Sequence, residues 1–490
     1  MLPIFVIVPL STAFLIPIAA KIKEELAQVL ANLGAAALLW FSLNSILWLK
    51  SGVKVYSVGN WPPPFGICML LDGMTVLMLV VVNLVGFMAL LYSLSYIRRY
   101  TSPTLYYTLF SLLLAGLNGV VISGDLFNLF VFLEITSIAS YALVAFGVEA
   151  EELEAAFKYL VLGSVASTLI LLAIGILLGN VSTLNMADIS RSLNIATSRQ
   201  LMLFCLALFI MGFGLKIALI PFHAWLPDAH PAAPAPMSAM LSGVVIKTIG
   251  VYALARVVFN IIGASAPVLN ILSWLGIISM AGGVLLAIGQ WDFKRLLAYH
   301  SVSQVGYVVF ALGLGTPLGI VAGLFHLLNH SLFKSLLFLN SGAVEYRTGL
   351  RQLDKLNSLS QEMPVTAATT LVASLSIAGI PPFCGFFSKV LIIIAALQAG
   401  NPLGAITCIL VGIVTLASFL KVEKYAFIRK VEGAVAAVKE VPFSMAAVMV
   451  ILAVLCFAVG IFFIPTVNTL IKPAAEALLE GTAYAEKILR

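Results

Sequence analysis

Seven residues in this chain combine proton-exchanging side chains with apolar surroundings: Glu134, Lys216, Lys247, His326, His330, Lys334 and Lys389. Amine, carboxylate and imidazole groups bind and release protons, and histidine does so near neutral pH. In GLFHLLNHSLFKSLLFLNSG, His326, His330 and Lys334 recur every four residues, so on a helix they share one stripe. A helix carrying histidines at i and i+4 can bind a metal, but no carboxylate completes a ligand set nearby, and no metal is expected. Glu134 lies inside DLFNLFVFLEITSIASYALVAFG, with Asp125 at its start as a solvated end or cap. Lys216 is the natural partner for Glu134, because a lone buried carboxylate is driven towards its neutral form and a nearby ammonium draws it back. Making and breaking such a pair could load and release a proton.

The backbone around these groups is interrupted twice. Pro221 and Pro227 follow Lys216 in IPFHAWLPDAHPAAPAP, which also holds His223, Asp228 and His230. Pro381 and Pro382, bracketed by Gly379 and Gly385, precede Lys389 within two turns. Proline removes a backbone donor and clashes with the preceding turn, so both stretches predict helix breaks. Irregular backbone at membrane depth is tolerated only where protein or water covers it.

Three residues are auxiliary candidates. Glu154 pairs with Lys158 at i, i+4 as a surface pair, with contact to the Glu134 site as a second reading. His300 lies one turn inside the helix begun by WDFKRLLAYHSVSQVGY, where it is either an intake point or structural. His223 sits in the first break. In the same helix start as His300, orientation explains Asp292, Lys294 and Arg295.

The elements that must position these groups are membrane helices. Of 490 residues, 61% are hydrophobic and 10% charged, with a mean hydropathy of +1.10. Soluble domains carry about 25% charged residues. Long unbroken apolar runs exclude an outer-membrane barrel, whose strands alternate. The class is an all-α polytopic membrane protein. Fourteen spans are predicted near 2–20, 26–49, 71–97, 104–123, 125–147, 155–179, 200–220, 237–263, 267–289, 295–315, 317–343, 363–398, 401–420 and 442–465. The first run lacks a basic n-region and reads as a span rather than a cleaved signal.

Basic residues set the orientation. Connections after odd-numbered spans hold fifteen of the 27, among them Lys294 and Lys430, and the other face holds eight, among them Arg256 and Arg490. The richer face should be cytoplasmic and both termini outward, in a cell membrane. The remaining four basic residues are Lys216, Lys247, Lys334 and Lys389, all inside spans, where orientation cannot explain them. Charges at that depth cost several kcal/mol and mark functional sites.

Breaks in spans seven and twelve, five apart, predict two inverted five-helix repeats, spans 4–8 and 9–13. Lys216 precedes its break and Lys389 follows its own. The expected divisions are 1–103, 104–263, 264–430 and 431–490. Five scattered cysteines without C-x-x-C, and no phosphate-binding or dinucleotide glycine loop, leave no cofactor or redox site expected in the chain. Nucleic acid is not an expected partner. GNWPPPFGI with Asp72 reads as an outer loop entering the third span.

Taken together, GNWPPPFGI with Asp72, DLFNLFVFLEI, Lys216 before PFHAWLPDAHPAAPAPMSAMLSG, Lys247, DFKRLLAYHSVSQVGY, HLLNHSLFKSLLF and GIPPFCGFFSK resemble the antiporter-like subunits shared by Mrp-type cation/proton antiporters, respiratory complex I and membrane-bound hydrogenases. The resemblance touches spans three to twelve. It implies a fourteen-helix core with broken seventh and twelfth helices. It gives Glu134 and Lys216 the role of a carboxylate–lysine pair, Lys247 with His326, His330 and Lys334 a central relay, and Lys389 the terminal site. One branch of the family has glutamate at that last position, so Lys389 argues for another, closest to the Mrp D-type subunit. The expected function is proton translocation within a multi-subunit membrane complex, with protons and sodium or another monovalent cation as the transported ions and the bilayer as solvent. The alternative is the same channel in a redox-driven complex, whose electron chemistry would belong to partners. A stand-alone carrier of an organic solute would instead need a mixed polar cavity at a helix break.

Overall fold

The computed structural model describes residues 1–62, 65–196, 198–429 and 438–489, without the side chains of 194–196. Pro63 and Pro64 of the predicted outer loop, and Lys430 and Arg490 of the charge count, lie outside the described residues. Twelve helices among those described are long and apolar enough to cross a bilayer. They are Glu25–Leu49, Gly73–Arg99, Pro103–Ile122, Leu126–Val144, Ala150–Val181, Arg199–Ile217, Ala235–Ile262, Ala266–Ile288, Phe293–Gly313, Pro317–Thr348, Pro402–Ile428 and Phe443–Ile461. Ile4–Ala20 adds a first span, and Pro364–Ala378 with Cys384–Gln398 form one span in two halves. The fold is thus the predicted polytopic all-α bundle of fourteen spans, numbered here in chain order.

Helices are the only local solution that satisfies every backbone group in hydrocarbon. Their starts are written in the sequence. Asp72, Asp125, Asp292, Thr316 and Asn401 each accept a hydrogen bond from the backbone N–H three residues on. Pro103, Pro317, Pro364 and Pro402 occupy first-turn positions, where a missing donor costs nothing. Before the third span, strands β1 (Lys54–Ser57) and β2 (Cys68–Leu71) pair antiparallel, with Lys54 opposite Leu71.

Burial sorts the spans. The third, eighth, tenth and eleventh are almost wholly enclosed, whereas the second, sixth, ninth, thirteenth and fourteenth present most of their surface outward. The eleventh, Pro317–Thr348, has 32 residues, about 48 Å at 1.5 Å per residue. It is packed by the tenth, the eighth, both halves of the twelfth and the fourteenth.

Both breaks are present, with one correction. The seventh span ends at Ile217, Ala218 takes a left-handed conformation, and a turn through Pro221 leads to the short helix Leu226–Ala232. Pro227 does not break a helix. It sits in the first turn of that short one, where proline is favoured. In the twelfth span Pro381 and Pro382 occupy the turn between the halves.

Among the described basic residues assigned to connections, Arg256 and Lys294 are buried inside helices. Arg256 lies within the eighth helix and is buried, with one guanidinium nitrogen 2.6 Å from Asp72. Lys294 is buried in the tenth, 2.8 Å from Glu345. Chain orientation alone therefore does not account for either. The chain beyond the fourteenth span folds back: Lys472–Leu479 packs on the third span, and the Asn260 amide donates to the Ala477 carbonyl at 2.8 Å. The helix Met186–Ala196, unanticipated, packs against residues 481–488.

Candidate functional site

The fifth, sixth and seventh spans build the first cluster. Lys216 ends the seventh helix, its side chain 1% exposed and its amine 3.8 Å from a Glu134 carboxylate oxygen. The amine donates to the Ser137 hydroxyl at 2.9 Å. The Ser167 hydroxyl donates to Glu134 from the sixth span. The predicted pair therefore exists, in a looser form than a direct hydrogen bond, with a serine on each partner. Glu134 is 32% exposed at its side chain. It opens on the outside of the bundle beside Val131 and Ile138, which are themselves exposed.

The seventh and eighth spans cross at Ile217 and Gly250. A Cβ on Gly250 would fall 2.4 Å from the Ile217 side chain and 3.1 Å from its backbone nitrogen, so only glycine permits the approach. Lys216 adjoins this crossing, and Lys247 lies one turn away from it on the eighth span. Lys247 sits in a π-helical stretch, Leu241–Tyr252, a geometry common at functional sites. Its amine is held by the carbonyls of Ser242 at 2.6 Å and Gly243 at 2.9 Å.

The stripe on the eleventh span is also as read from the sequence. The His326 and His330 rings are 6.3 Å apart and nearly parallel. Among the described residues neither His330 nitrogen nor the Lys334 amine has a hydrogen-bond partner, and Lys334 sits 5.5 Å over the Phe338 ring. His326 Nδ1 hydrogen-bonds Ser388 at 2.9 Å, next in sequence to Lys389. Lys389 donates to the carbonyls of Ile377 at 2.6 Å and Ala378 at 3.3 Å, which end the first half of the broken span. It also lies 5.1 Å from the Tyr307 ring centre. Gly379, at φ +85°, makes room for it: a Cβ there would fall 2.9 Å from Lys389 Cδ.

The auxiliary residues separate. Glu154 bonds Lys158 at 2.8 Å, which also meets Asp228 at 2.9 Å. These three line a cavity of about 750 Å³ with Asp292, Arg295 and Arg351, away from Glu134. Burial pushes the Asp292 carboxyl above its ordinary value, against the pull of the Arg295 amide, Arg351 and Lys294. His223 faces Tyr299, with the ring centres 6.3 Å apart. His300 hydrogen-bonds Ser418 at 2.8 Å.

Sequence reading missed Ser137, Ser167, Ser388 and Tyr307, whose types are too common in spans to single out. It also left His230 unassigned; that ring is buried, stacked 4.5 Å from Phe338, with neither nitrogen hydrogen-bonded among the described residues. Among the described residues no cluster of three metal-ligating side chains occurs.

The fold and this buried cationic file define a class: a multi-pass membrane protein carrying titratable groups through its interior. Residues 123–415 match the family described as NADH:quinone oxidoreductase/Mrp antiporter, TM, and residues 56–107 match NADH-Ubiquinone oxidoreductase (complex I), chain 5 N-terminus. The chain is 38% identical over 379 residues to the N-type NADH-quinone oxidoreductase subunit of Desulforudis audaxviator, covering 76% of this chain and 75% of that one. It is 34% identical over 410 residues to the D-type Na(+)/H(+) antiporter subunit of Alkalihalophilus pseudofirmus, covering 82% of each. A chain in the structure of the Mrp complex from Dietzia sp. DQ12-45-1b superposes with a TM-score of 0.94 at 28% identity, covering 100% of this chain and 99% of that one. The chain belongs to the NADH:quinone oxidoreductase/Mrp antiporter membrane family, as an antiporter-like subunit.

Proposed function

We propose that this chain translocates protons as the D-type subunit of an Mrp-type monovalent cation/proton antiporter. The observation that carries the reading is the Glu134–Lys216 pair at 3.8 Å, standing at one end of a file that ends at Lys389. Protons enter from the cytoplasmic face near that pair. They pass laterally through Lys247 and the His330, Lys334 and His326 stripe, and leave at Lys389 towards the outside. Both termini face outward in a cell membrane, and spans 4–8 and 9–13 act as two inverted halves around the file. Sodium or another monovalent cation is the exchanged ion.

The partly exposed Glu134 supports assembly with neighbours. A carboxylate facing hydrocarbon costs about 3 kcal/mol, so a second membrane subunit covers it. The extent of the similarity supports the Mrp reading, since it spans four-fifths of both this chain and the D-type antiporter relative. A second reading, the same channel in a redox-driven complex, is favoured by the higher identity to a quinone oxidoreductase subunit. Purifying the complex and identifying its subunits separates them. Proton transport in membrane vesicles tests the shared claim: Lys216→Ala should abolish it with assembly intact, and unchanged transport would refute the assignment.

A further inference from the structure

Glu423 is a buried carboxylate that the file just described does not use. It begins a π-helical end of the thirteenth span, Glu423–Ile428, and is 7% exposed. Among the described residues it makes no ion pair, and its one hydrogen bond comes from the Ser374 hydroxyl at 2.9 Å. The charged residues on the elements packed against it, Asp354, Lys355 and Glu362, are exposed, as is Lys424 on its own helix, and the half-buried Lys421 amine is taken by the carbonyls of Ile288 at 2.7 Å and Gln290 at 2.6 Å. An ionised carboxylate left unpaired in such a place costs several kcal/mol, so it is seldom kept for packing alone.

Its position gives it a use. Ser374 lies three and four residues before Ile377 and Ala378, whose carbonyls hold the Lys389 amine. One helical turn, about 5.4 Å, therefore separates the Glu423 contact from the Lys389 grip along the half-helix Pro364–Ala378. A second arm runs on the thirteenth span itself: Phe419, one turn before Glu423, packs 4.9 Å from the His300 ring, and the neighbouring Ser418 bonds that ring.

We infer that Glu423 is a proton-loading carboxylate for Lys389, reached from the end of the bundle that carries the basic-rich connections. It takes a proton from water at that end and passes it by way of the Ser374 hydroxyl to the neutral Lys389 amine. That leaves a carboxylate, which is reprotonated from the same side. Lys389 would then have two supplies, the lateral file and this short one. The inference rests on the proton-translocating reading above.

The test uses the assembled complex in everted vesicles, with pH-gradient formation read by a dye. Glu423→Gln keeps the volume and the acceptor for Ser374 but cannot exchange a proton. It should lower flux to the share that the lateral file supplies alone, with Glu423→Asp restoring most of the loss. Infrared difference spectra should show a protonated-carboxyl band that is absent in Glu423→Gln. Ser374→Ala, which leaves the carboxyl in place, should slow flux and shift that band, and it serves if the Gln variant fails to assemble. Wild-type flux in Glu423→Gln and Ser374→Ala, beside an inactive Glu134→Gln control, would overturn the inference and leave the proposed function standing. Wild-type flux in all three would overturn both. Persistence of the carboxyl band in Glu423→Gln would overturn the assignment of the proton to this residue.

Discussion

Replacing Glu134 by glutamine removes one charge and almost no volume, and the amide oxygen can still accept from Ser167. What is lost is the attraction on the Lys216 ammonium 3.8 Å away. For unit charges at that distance, Coulomb's law gives about 1 kcal/mol in bulk water and about 4 kcal/mol at the effective dielectric of a protein site. The Lys216 side chain is almost fully enclosed while Glu134 is a third open, so the upper value applies once a neighbouring subunit covers Glu134. About 4 kcal/mol corresponds to roughly a thousandfold in a proton-binding constant. Opening the pair by an ångström or two removes about 1 kcal/mol of this coupling, a bias of roughly tenfold or less in proton binding, and only full separation or loss of the carboxylate charge releases the whole of it. Glu134→Gln should therefore cut vesicle pH-gradient formation by more than tenfold while the complex still co-purifies. Glu134→Asp, which withdraws the carboxylate by about 1.5 Å, retains about 3 kcal/mol of coupling and should keep part of the activity. Wild-type flux in an assembled Glu134→Gln complex would refute the reasoning. So would equal losses in the Gln and Asp variants, because the graded loss follows from distance.

Further outcomes follow from other contacts. Gly379→Ala forces a left-handed conformation on alanine and a contact of 2.9 Å with Lys389; it should cost about 1–3 kcal/mol, read as a lower unfolding temperature in detergent, and slow proton flux. His330→Ala should interrupt the file without touching Glu134–Lys216, so flux should fall while Glu134→Gln adds nothing further in the double variant. Arg256→Met strands Asp72 as a buried charge and should cost about 3–5 kcal/mol, whereas adding Asp72→Asn should recover most of that. Burial raises the Asp72 carboxyl, but Arg256 and the Thr75 amide more than offset this and leave it below its ordinary value. The stability from this pair is thus present above the ordinary carboxylate range, about pH 4, and is lost as pH falls through the lower folded value. A melting-temperature series on wild type and Asp72→Asn should converge on acidification.

Much of this was legible in the chain because the bilayer is an unforgiving solvent. All fourteen spans follow from apolar length, and Asp125 and Asp292 mark helix starts by their chemistry alone. Lys216, Lys247, Lys334 and Lys389 stood out because nothing else explains charge at that depth. Pairings across spans were less legible. Arg256 looked like a loop residue because it sits near a helix end, and its partner Asp72 is 184 positions away. Pro227 read as a breaker because composition cannot tell a first-turn proline from an interior one. Glu423 was hidden among Lys421 and Lys424, whose exposure sets the apparent character of that helix end. Serines such as Ser137 and Ser167 carry no signal, since hydroxyls in spans commonly bond their own helix.

Lys389 does two jobs with one ammonium. In the proposed function it carries protons, and in the structure it is the cap that satisfies the free carbonyls at the end of a half-helix. Those carbonyls form the negative pole of that half-helix, which favours a cation and repels an anion. Discharging the lysine therefore weakens a structural joint at the same instant. The break in the twelfth span becomes a latch whose tension is set by charge, so each departing proton is converted into slack in the backbone. Motion at this joint and ion release are then a single coordinate, which gives a neighbouring subunit a mechanical handle on the chemistry.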